Sequence, residues 1–153
     1  MTSPQSETPS EHTPAPSSFA PPKLWNPTSA ILWSLLFSPA FGAYLQMKNW
    51  QALNNTSEAN ASKIWFYLSL TLTIFGSLVP SSEFPISYNL LFSSIYFGIW
   101  IYTSAQHQRV YVNYHYAQRY AHKPWTKVLT VSFIALAFLL IVNVLIENGF
   151  QYQ

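Results

Sequence analysis

The sequence predicts an all-α fold: a polytopic transmembrane helix bundle with four membrane segments. Apolar stretches free of charge fill most of the chain after residue 23, only 8% of the 153 residues are charged, and 18% are aromatic. About 20 apolar helical residues cross a hydrocarbon core of about 30 Å. A soluble protein carries about 25% charged residues, whereas lipid tolerates a surface with very few. The four segments are predicted near residues 28–47, 64–79, 85–105 and 128–146.

Residues 1–23 differ from the rest of the chain. They contain six prolines among Ser and Thr, and Phe19 is the one large apolar side chain after Met1. Such a segment buries too little surface to offset the entropy lost on ordering, so we expect a disordered tail. It lacks the basic start and apolar core of a signal peptide. The membrane domain is therefore predicted to cover residues 24–153.

The first segment has clear start and break signals. Asn26 is a favourable N-cap, and Pro27 suits the first helical position, where a missing N–H leaves no bond unmade. Pro39 removes a backbone donor and clashes with the preceding turn, which predicts a kink between Leu35 and Pro39. A full span is one interpretation of this segment, and a re-entrant or broken helix is the alternative.

The later segments are bounded by polar connections. Asn55 and Glu58 fit a variant of the capping box, which predicts a helix leading into the second segment. The short link at residues 80–85 makes the second and third segments an antiparallel hairpin. The third segment is predicted to continue as a helix over residues 106–121, and Gly149 is predicted to end the fourth.

The basic residues orient the bundle. Loops one and three hold six of them: Lys48, Lys63, Arg109, Arg119, Lys123 and Lys127. The positive-inside rule therefore places these loops in the cytoplasm, with both termini outside. If the first segment is re-entrant, the tail also lies inside and Lys23 joins the other basic residues.

No pattern in the sequence indicates a reaction. The predicted spans contain no Asp, Glu, Lys, Arg or His, so proton relays and voltage sensors find no group to use. The chain has no Cys and no Asp, and no paired carboxylates or phosphate-binding loop. His107, His115 and His122 are too far apart along a straight helix to share an ion. We therefore expect no enzyme, catalytic residue, cofactor or metal site, and the net charge of +2 indicates no nucleic acid partner.

Small residues recur at every fourth position in three of the segments. At this spacing they share one helix face and let neighbouring backbones approach closely. The pattern is typical of packing within the chain, and a docking face for a partner helix is the functional alternative. The candidate residues are Ser34, Ser38, Gly42, Ser69, Thr73, Ser77, Ser94 and Gly98, with Pro39 at the break.

Amphipathic aromatic side chains accompany the basic residues outside the segments. Rings with polar tips and long basic side chains suit the headgroup zone, where anionic lipid attracts the charges. The predicted membrane-interface residues are Trp25, Trp50, Arg109, Tyr111, Tyr114, Tyr116, Arg119, Tyr120 and Trp125.

The first segment and its flanks carry an ordered set of Trp, Pro and Gly residues. Trp25-Asn26-Pro27 is followed by the run Trp-Ser-Leu-Leu-Phe-Ser-Pro-Ala-Phe-Gly-Ala at residues 33–43 and by Asn49-Trp50. This order resembles the N-terminal signature of a family of small uncharacterised bacterial inner-membrane proteins. The resemblance implies a bacterial origin and a multi-pass inner-membrane location, and it implies no activity.

Two functions fit these features. The first is a non-enzymatic interaction or modulatory protein whose partners are the lipid bilayer and another membrane protein or a second copy, as a homo-oligomer. One version is immunity against a membrane-inserting toxin, by analogy with other small multi-span proteins. The alternative is a component of a small-solute transporter or channel.

Overall fold

The computed structural model describes residues 21–78, 86–117 and 119–151, which are mostly α-helical. The predicted tail up to residue 20 and the predicted link at 80–85 lie outside the described residues. The elements are β1 (Lys23–Leu24), α1 (Pro27–Phe37), α2 (Pro39–Ala52), α3 (Thr56–Leu78), α4 (Ile86–Trp100), a π-helical turn (Ile101–Ala105), α5 (Gln106–Tyr116), β2 (Ala121–His122) and α6 (Thr126–Gln151).

The prediction of four membrane segments, and with it the multi-pass prediction, is wrong. In the described part of the chain, one helix is long and apolar enough to cross a membrane. It is the stretch Thr126–Ile146 of α6, which has 21 residues and a mean hydropathy of 2.7. The other three predicted segments fall short, each for its own physical reason.

The first segment is a broken helix that folds back on itself. Asn26 caps α1 as predicted, because its Oδ1 accepts bonds from the N–H groups of Thr28 and Ser29 at 2.9 and 3.3 Å. The helix ends at Phe37 after 11 residues, a rise of about 16 Å and so about half of a hydrocarbon core. Ser38 then takes a φ of 148°, and α2 begins at Pro39.

We call α1 and α2 the hairpin, Ser38 and Pro39 its tip, and the opposite end, where Trp25 meets Asn49, its mouth. At the mouth the Asn49 side chain accepts a bond from the Trp25 N–H at 3.0 Å and donates one to the Trp25 carbonyl at 2.8 Å. These two bonds join residues 24 apart in sequence and hold α2 antiparallel to α1.

The second and third segments are helical over their described residues, but neither forms a single apolar helix long enough to cross a membrane. The first eight residues of α3 are largely polar and end at Lys63, so the apolar part described is residues 64–78, about 22 Å of rise. Asn55 caps α3 as predicted, with its Oδ1 accepting a bond from the Glu58 N–H at 3.2 Å. The α-helical part of α4 has 15 residues and passes into the π-turn.

Two predicted helix ends are also wrong. The helix that follows the third segment stops at Tyr116, because Ala117 adopts a left-handed conformation with φ of 41°. The chain then forms β2, which pairs in parallel with β1 and ties the C-terminal half to the hairpin mouth. Gly149 does not end the fourth segment, since α6 continues to Gln151.

The remaining helices surround the hairpin. The Phe37 and Phe133 rings meet edge-on at 4.9 Å, which sets α6 beside the hairpin tip. Large apolar side chains nevertheless stay exposed on α1, α3, α4 and α6, as Leu35 (67%), Phe75 (67%) and Ile134 (65%) illustrate. Soluble monomers rarely expose apolar surface on this scale, so the fold has an apolar exterior.

Candidate functional site

An open groove lies beyond the hairpin tip. Because the chain turns back at Ser38, α1 does not continue between the ends of α3 and α4, and these helices bound a space of about 570 Å³. Residues 34–39 of the hairpin close one end of it. This volume is within the range of about 300–1,000 Å³ that is typical of binding pockets.

The described lining of the groove is polar without being charged. Within residues 21–78, 86–117 and 119–151, no Asp, Glu, Lys, Arg or His is among the lining residues. Leu and Phe side chains alternate with hydroxyls and one amide. The polar lining residues are Ser34, Ser38, Ser69, Thr73, Asn89, Ser93, Ser94 and Tyr96. Such hydroxyl and amide groups can form hydrogen bonds with neutral polar groups of a ligand.

The predicted stripe on α3 is bonded within the chain. The Ser69 hydroxyl lies 2.6 Å from the Tyr96 hydroxyl of α4. Thr73 and Ser77 each donate to the carbonyl four residues back, at 2.8 Å. The Ser77 carbonyl also accepts a bond from Asn143 Nδ2 of α6 at 3.3 Å. This stripe therefore joins α3 to two neighbours.

The stripe in the hairpin lies where α1 and α2 cross. Ser34 is buried and donates to the Ala30 carbonyl at 2.7 Å. It faces Gly42, and a Cβ added there would overlap both Ser34 Oγ and the Trp100 ring. Gly42 therefore sets how closely the two helices approach. Ser38 and Pro39 form the tip itself.

The stripe on α4 is open. Ser94 is exposed and lines the groove. A Cβ added at Gly98 would meet nothing within 4 Å, and the same is true of Gly76 across the groove on α3. Within residues 21–78, 86–117 and 119–151, no side chain covers these small residues.

The predicted interface residues divide between the mouth and the interior. Trp25 Nε1 donates to the Pro124 carbonyl at 3.1 Å. The Lys123 ammonium lies over the Trp25 ring, 4.4 Å from the ring centre. Trp125 packs against the buried side of the hairpin, and Tyr120 lies in a buried cluster with Leu24, where burial raises the pKa of the Tyr120 phenol.

The other predicted interface residues lie on or beside α5. Trp50 is buried, and its ring meets Tyr111 edge-on at 4.9 Å. Tyr116 is half-buried, whereas the remaining side chains face outward. Those exposed side chains are Arg109, Tyr114 and Arg119.

A buried amide network was missed by the sequence reasoning. Asn49 Nδ2 bonds Gln108 Oε1 at 3.3 Å, and Gln108 Nε2 donates to the Gln46 carbonyl at 2.8 Å. All three side chains are buried. They tie α2 to the start of α5. The available signal was a pair of amides three residues apart, Gln46 and Asn49, which share one helix face. Gln46 Nε2 and Trp100 Nε1 belong to residues that line a cavity of about 10 Å³, close to the size of a single water.

The three histidines that the structure describes do not form a cluster. His107 Nδ1 lies 3.4 Å from Glu58 Oε2, and His115 Nδ1 lies 3.0 Å from the Tyr111 carbonyl. His122 belongs to β2. Among the residues that the structure describes, no group of three or more His, Asp or Glu side chains has the geometry of a metal site.

Comparisons with protein-family models, with curated proteins and with solved structures give no match. The resemblance of the first segment to a bacterial membrane-protein family stays a prediction.

Proposed function

We propose that this chain is a non-enzymatic interaction protein of the bacterial inner membrane, and that its groove docks an apolar helix of a membrane partner. The observation that carries the proposal is the groove beyond the hairpin tip, with the uncovered small residues Ser94, Gly98 and Gly76 beside it. The apolar exterior of the fold gives the membrane setting.

α6 supports the membrane location most strongly. No part of its most apolar window is buried inside the protein, and it lies in the C-terminal third of the chain. It is therefore neither the core helix of a soluble domain nor an N-terminal signal. We infer that α6 crosses the bilayer and that lipid covers the exposed apolar faces of the helices around it.

The basic residues favour a cytoplasmic hairpin mouth. Lys23 lies in β1, Lys48 near the end of α2, Arg109 in α5 and Lys127 in the first turn of α6. The Glu58–His107 contact brings the start of α3 to the same end. With the mouth in the cytoplasm, the positive-inside rule is satisfied without any basic residue on the far side.

The shape of the groove favours a helix as its occupant. α1 stops about halfway through a bilayer, and the groove lies in the space that a longer first helix would fill. Small residues at Gly76, Ser94 and Gly98 allow a close approach of backbones, which drives helix association in lipid. Asn89 and Ser93 supply neutral hydrogen-bonding groups for polar side chains on such a helix.

Immunity against a membrane-inserting toxin is one specific form of this proposal. A toxin helix held in the groove could not join its own oligomer, and the protein would need no catalytic residue to act. A second copy of this chain is a different occupant, which the same experiment distinguishes because the captured species would be the chain itself.

Three glycine variants test the docking proposal. Gly76→Leu places a bulky side chain in the groove lining, and Gly98→Leu places one a helical turn from Ser94, which also lines the groove. No described residue obstructs either side chain, and leucine is a better helix former than glycine. Both variants should therefore fold and should lose capture of a specific membrane partner by at least tenfold in co-purification. Gly149→Leu is the matched control, since its Cβ also meets open space but lies on α6, away from the groove.

Capture by Gly76→Leu and Gly98→Leu that equals wild-type capture would overturn the docking proposal. So would a purification that recovers the wild-type chain with no membrane partner. Failure of Gly149→Leu together with the other two would indicate a general effect of the substitution instead of a groove.

The transport alternative has one specific observation in its favour. A broken helix is tolerated at membrane depth where its backbone lines a polar cavity, and the hairpin tip lines this groove. Small neutral solutes would then pass along the hydroxyls. Solute flux in proteoliposomes of the pure protein is the expected result for this alternative, and the absence of flux would reject it.

A further inference from the structure

Two lysines lie at the hairpin mouth: Lys123 is placed over the Trp25 ring, and Lys48 adjoins Asn49, whose side chain bonds the Trp25 backbone. Lys123 comes from the loop before α6, and Lys48 comes from the last turns of α2. Among the described residues, no carboxylate lies within 4 Å of either ammonium group, because the one ion pair there joins Glu58 to His107. Within the described part of the chain, the mouth therefore carries two lysines without a paired carboxylate.

Lys123 is fixed at both of its ends. Its backbone N–H donates to the Leu24 carbonyl at 2.9 Å, in continuation of the β1–β2 pairing. Its ammonium lies over the Trp25 ring at 4.4 Å, a favourable cation–π position. Trp25 is itself fixed by bonds from its backbone and its indole N–H. This cation is held in place before any ligand arrives.

Lys48 adds a second positive charge at the hairpin mouth. Its ammonium donates to Gln51 Oε1 at 3.2 Å and lies 5.8 Å from the centre of the Tyr44 ring. Partial burial and the charge of Lys48 lower the pKa of Lys123. The charge of Lys48 thus disfavours the charged form of Lys123, and a bound anion would offset this repulsion.

We propose that Lys48 and Lys123, with Trp25 as the platform, form a binding site for the phosphate of an anionic phospholipid. The inference depends on the membrane location of the chain but is independent of the groove, because the site lies at the mouth and the groove lies beyond the tip. It would give both cations an anionic partner, which the described residues do not supply.

The position of the site favours a lipid headgroup as the source of the phosphate. Lys123 precedes the first residue of α6 by three positions, so it lies at headgroup level when α6 crosses the bilayer. Trp25 and Trp125 flank it, and indole rings favour the same depth. Anionic lipids attract basic residues at this level by about 1 kcal/mol each, which is about a fivefold change in affinity.

Lipid binding by the full-length chain tests the assignment. In neutral detergent, phosphatidylglycerol or phosphatidylcholine is titrated into the protein, and bound lipid is counted by native mass spectrometry. We expect phosphatidylglycerol to bind preferentially. Lys48→Gln and Lys123→Gln should each weaken its binding about fivefold, and the double variant more, with phosphatidylcholine unaffected.

Lys63→Gln is the matched control. Lys63 also lies over an aromatic ring, at 6.0 Å from the centre of Tyr67, but it belongs to α3 and does not lie over Trp25. Thermal unfolding of each variant verifies that the fold is retained. An equal loss in Lys63→Gln, or no loss in either mouth variant, would overturn the site.

Competition with inorganic phosphate distinguishes a lipid headgroup from a soluble anion as the ligand of this site. If excess inorganic phosphate displaces phosphatidylglycerol from the wild type, the site recognises a soluble anion and the lipid assignment is wrong. If it does not, the membrane supplies the ligand. Either result leaves the glycine test of the groove unchanged, so failures of the two proposals remain distinguishable.

Discussion

Gly42→Ala should loosen the hairpin, because the added methyl group has no space. Its Cβ would overlap Ser34 Oγ and the Trp100 ring at once. Both obstacles are only 1% exposed, so neither moves aside freely. Overpacking a buried site costs about 1–3 kcal/mol, and two simultaneous overlaps put this substitution near the upper value. Alanine recovers about 1 kcal/mol as the better helix former. We therefore expect the free energy of unfolding to fall by about 2 kcal/mol.

The assay is reversible unfolding of the full-length chain in mixed micelles, with helical signal as the readout. Gly98→Ala is the control, since its Cβ meets open space and its helix propensity improves, which predicts a small gain in stability. Ser34→Ala combined with Gly42→Ala should recover part of the loss by removing one obstacle. A Gly42→Ala chain as stable as wild type would refute the close crossing of α1 and α2.

Three further predictions concern the mouth and the helix contacts. Asn49→Leu should lower the free energy of unfolding by about 3 kcal/mol, because both backbone groups of Trp25 and the Oε1 atom of Gln108 lose their bonds to Asn49. Denaturation of the purified variant measures this loss. Lys48→Gln should raise the pKa of Lys123 toward 10.5, as followed by NMR titration of the lysine side chain. The pKa of Lys123 is lower in the folded than in the unfolded state. The free energy of unfolding should therefore rise with pH between these two pKa values, and the rise should be smaller in Lys48→Gln. Tyr96→Phe should cost about 1 kcal/mol by removing the bond between α3 and α4, again measured by unfolding.

The local signals in the sequence predicted local structure well. Asn26 and Asn55 cap their helices as expected, because a cap depends on one side chain and the two or three N–H groups next to it. Pro39 correctly marked a break in the first segment. The concentration of hydroxyls on α3 and α4 was also visible in the sequence, although nothing in it indicated that they line a groove.

The fold-back of the first segment could not be read from the same signals. Proline predicts a break but not its angle, which here depends on the φ of Ser38 and on the bonds between Trp25 and Asn49. Counting apolar residues joins the two halves of a hairpin into one apparent span. The same count accepted the apolar part of α3 as a span, although its described residues 64–78 rise only about 22 Å.

The pairing of β1 with β2 and the amide network had almost no sequence signal. Each strand has two residues, too few for an alternating pattern to appear. Gln108 bonds Asn49 and Gln46, which lie 59 and 62 residues before it in the sequence. Such long-range contacts depend on the packing of the whole chain and not on the composition of any window.

Sidedness of the hairpin tests the central claim most directly. The chain has no cysteine, so Lys23→Cys, Asn54→Cys and Asn148→Cys each introduce a single exposed thiol. The measurement is labelling by a membrane-impermeant maleimide in intact and permeabilised cells. We expect the thiols at 23 and 54 to be labelled from one face of the membrane and the thiol at 148 from the other. Labelling of positions 23 and 54 from opposite faces would show that the first segment crosses the bilayer, and would contradict the hairpin, the groove beyond its tip and the function proposed for it.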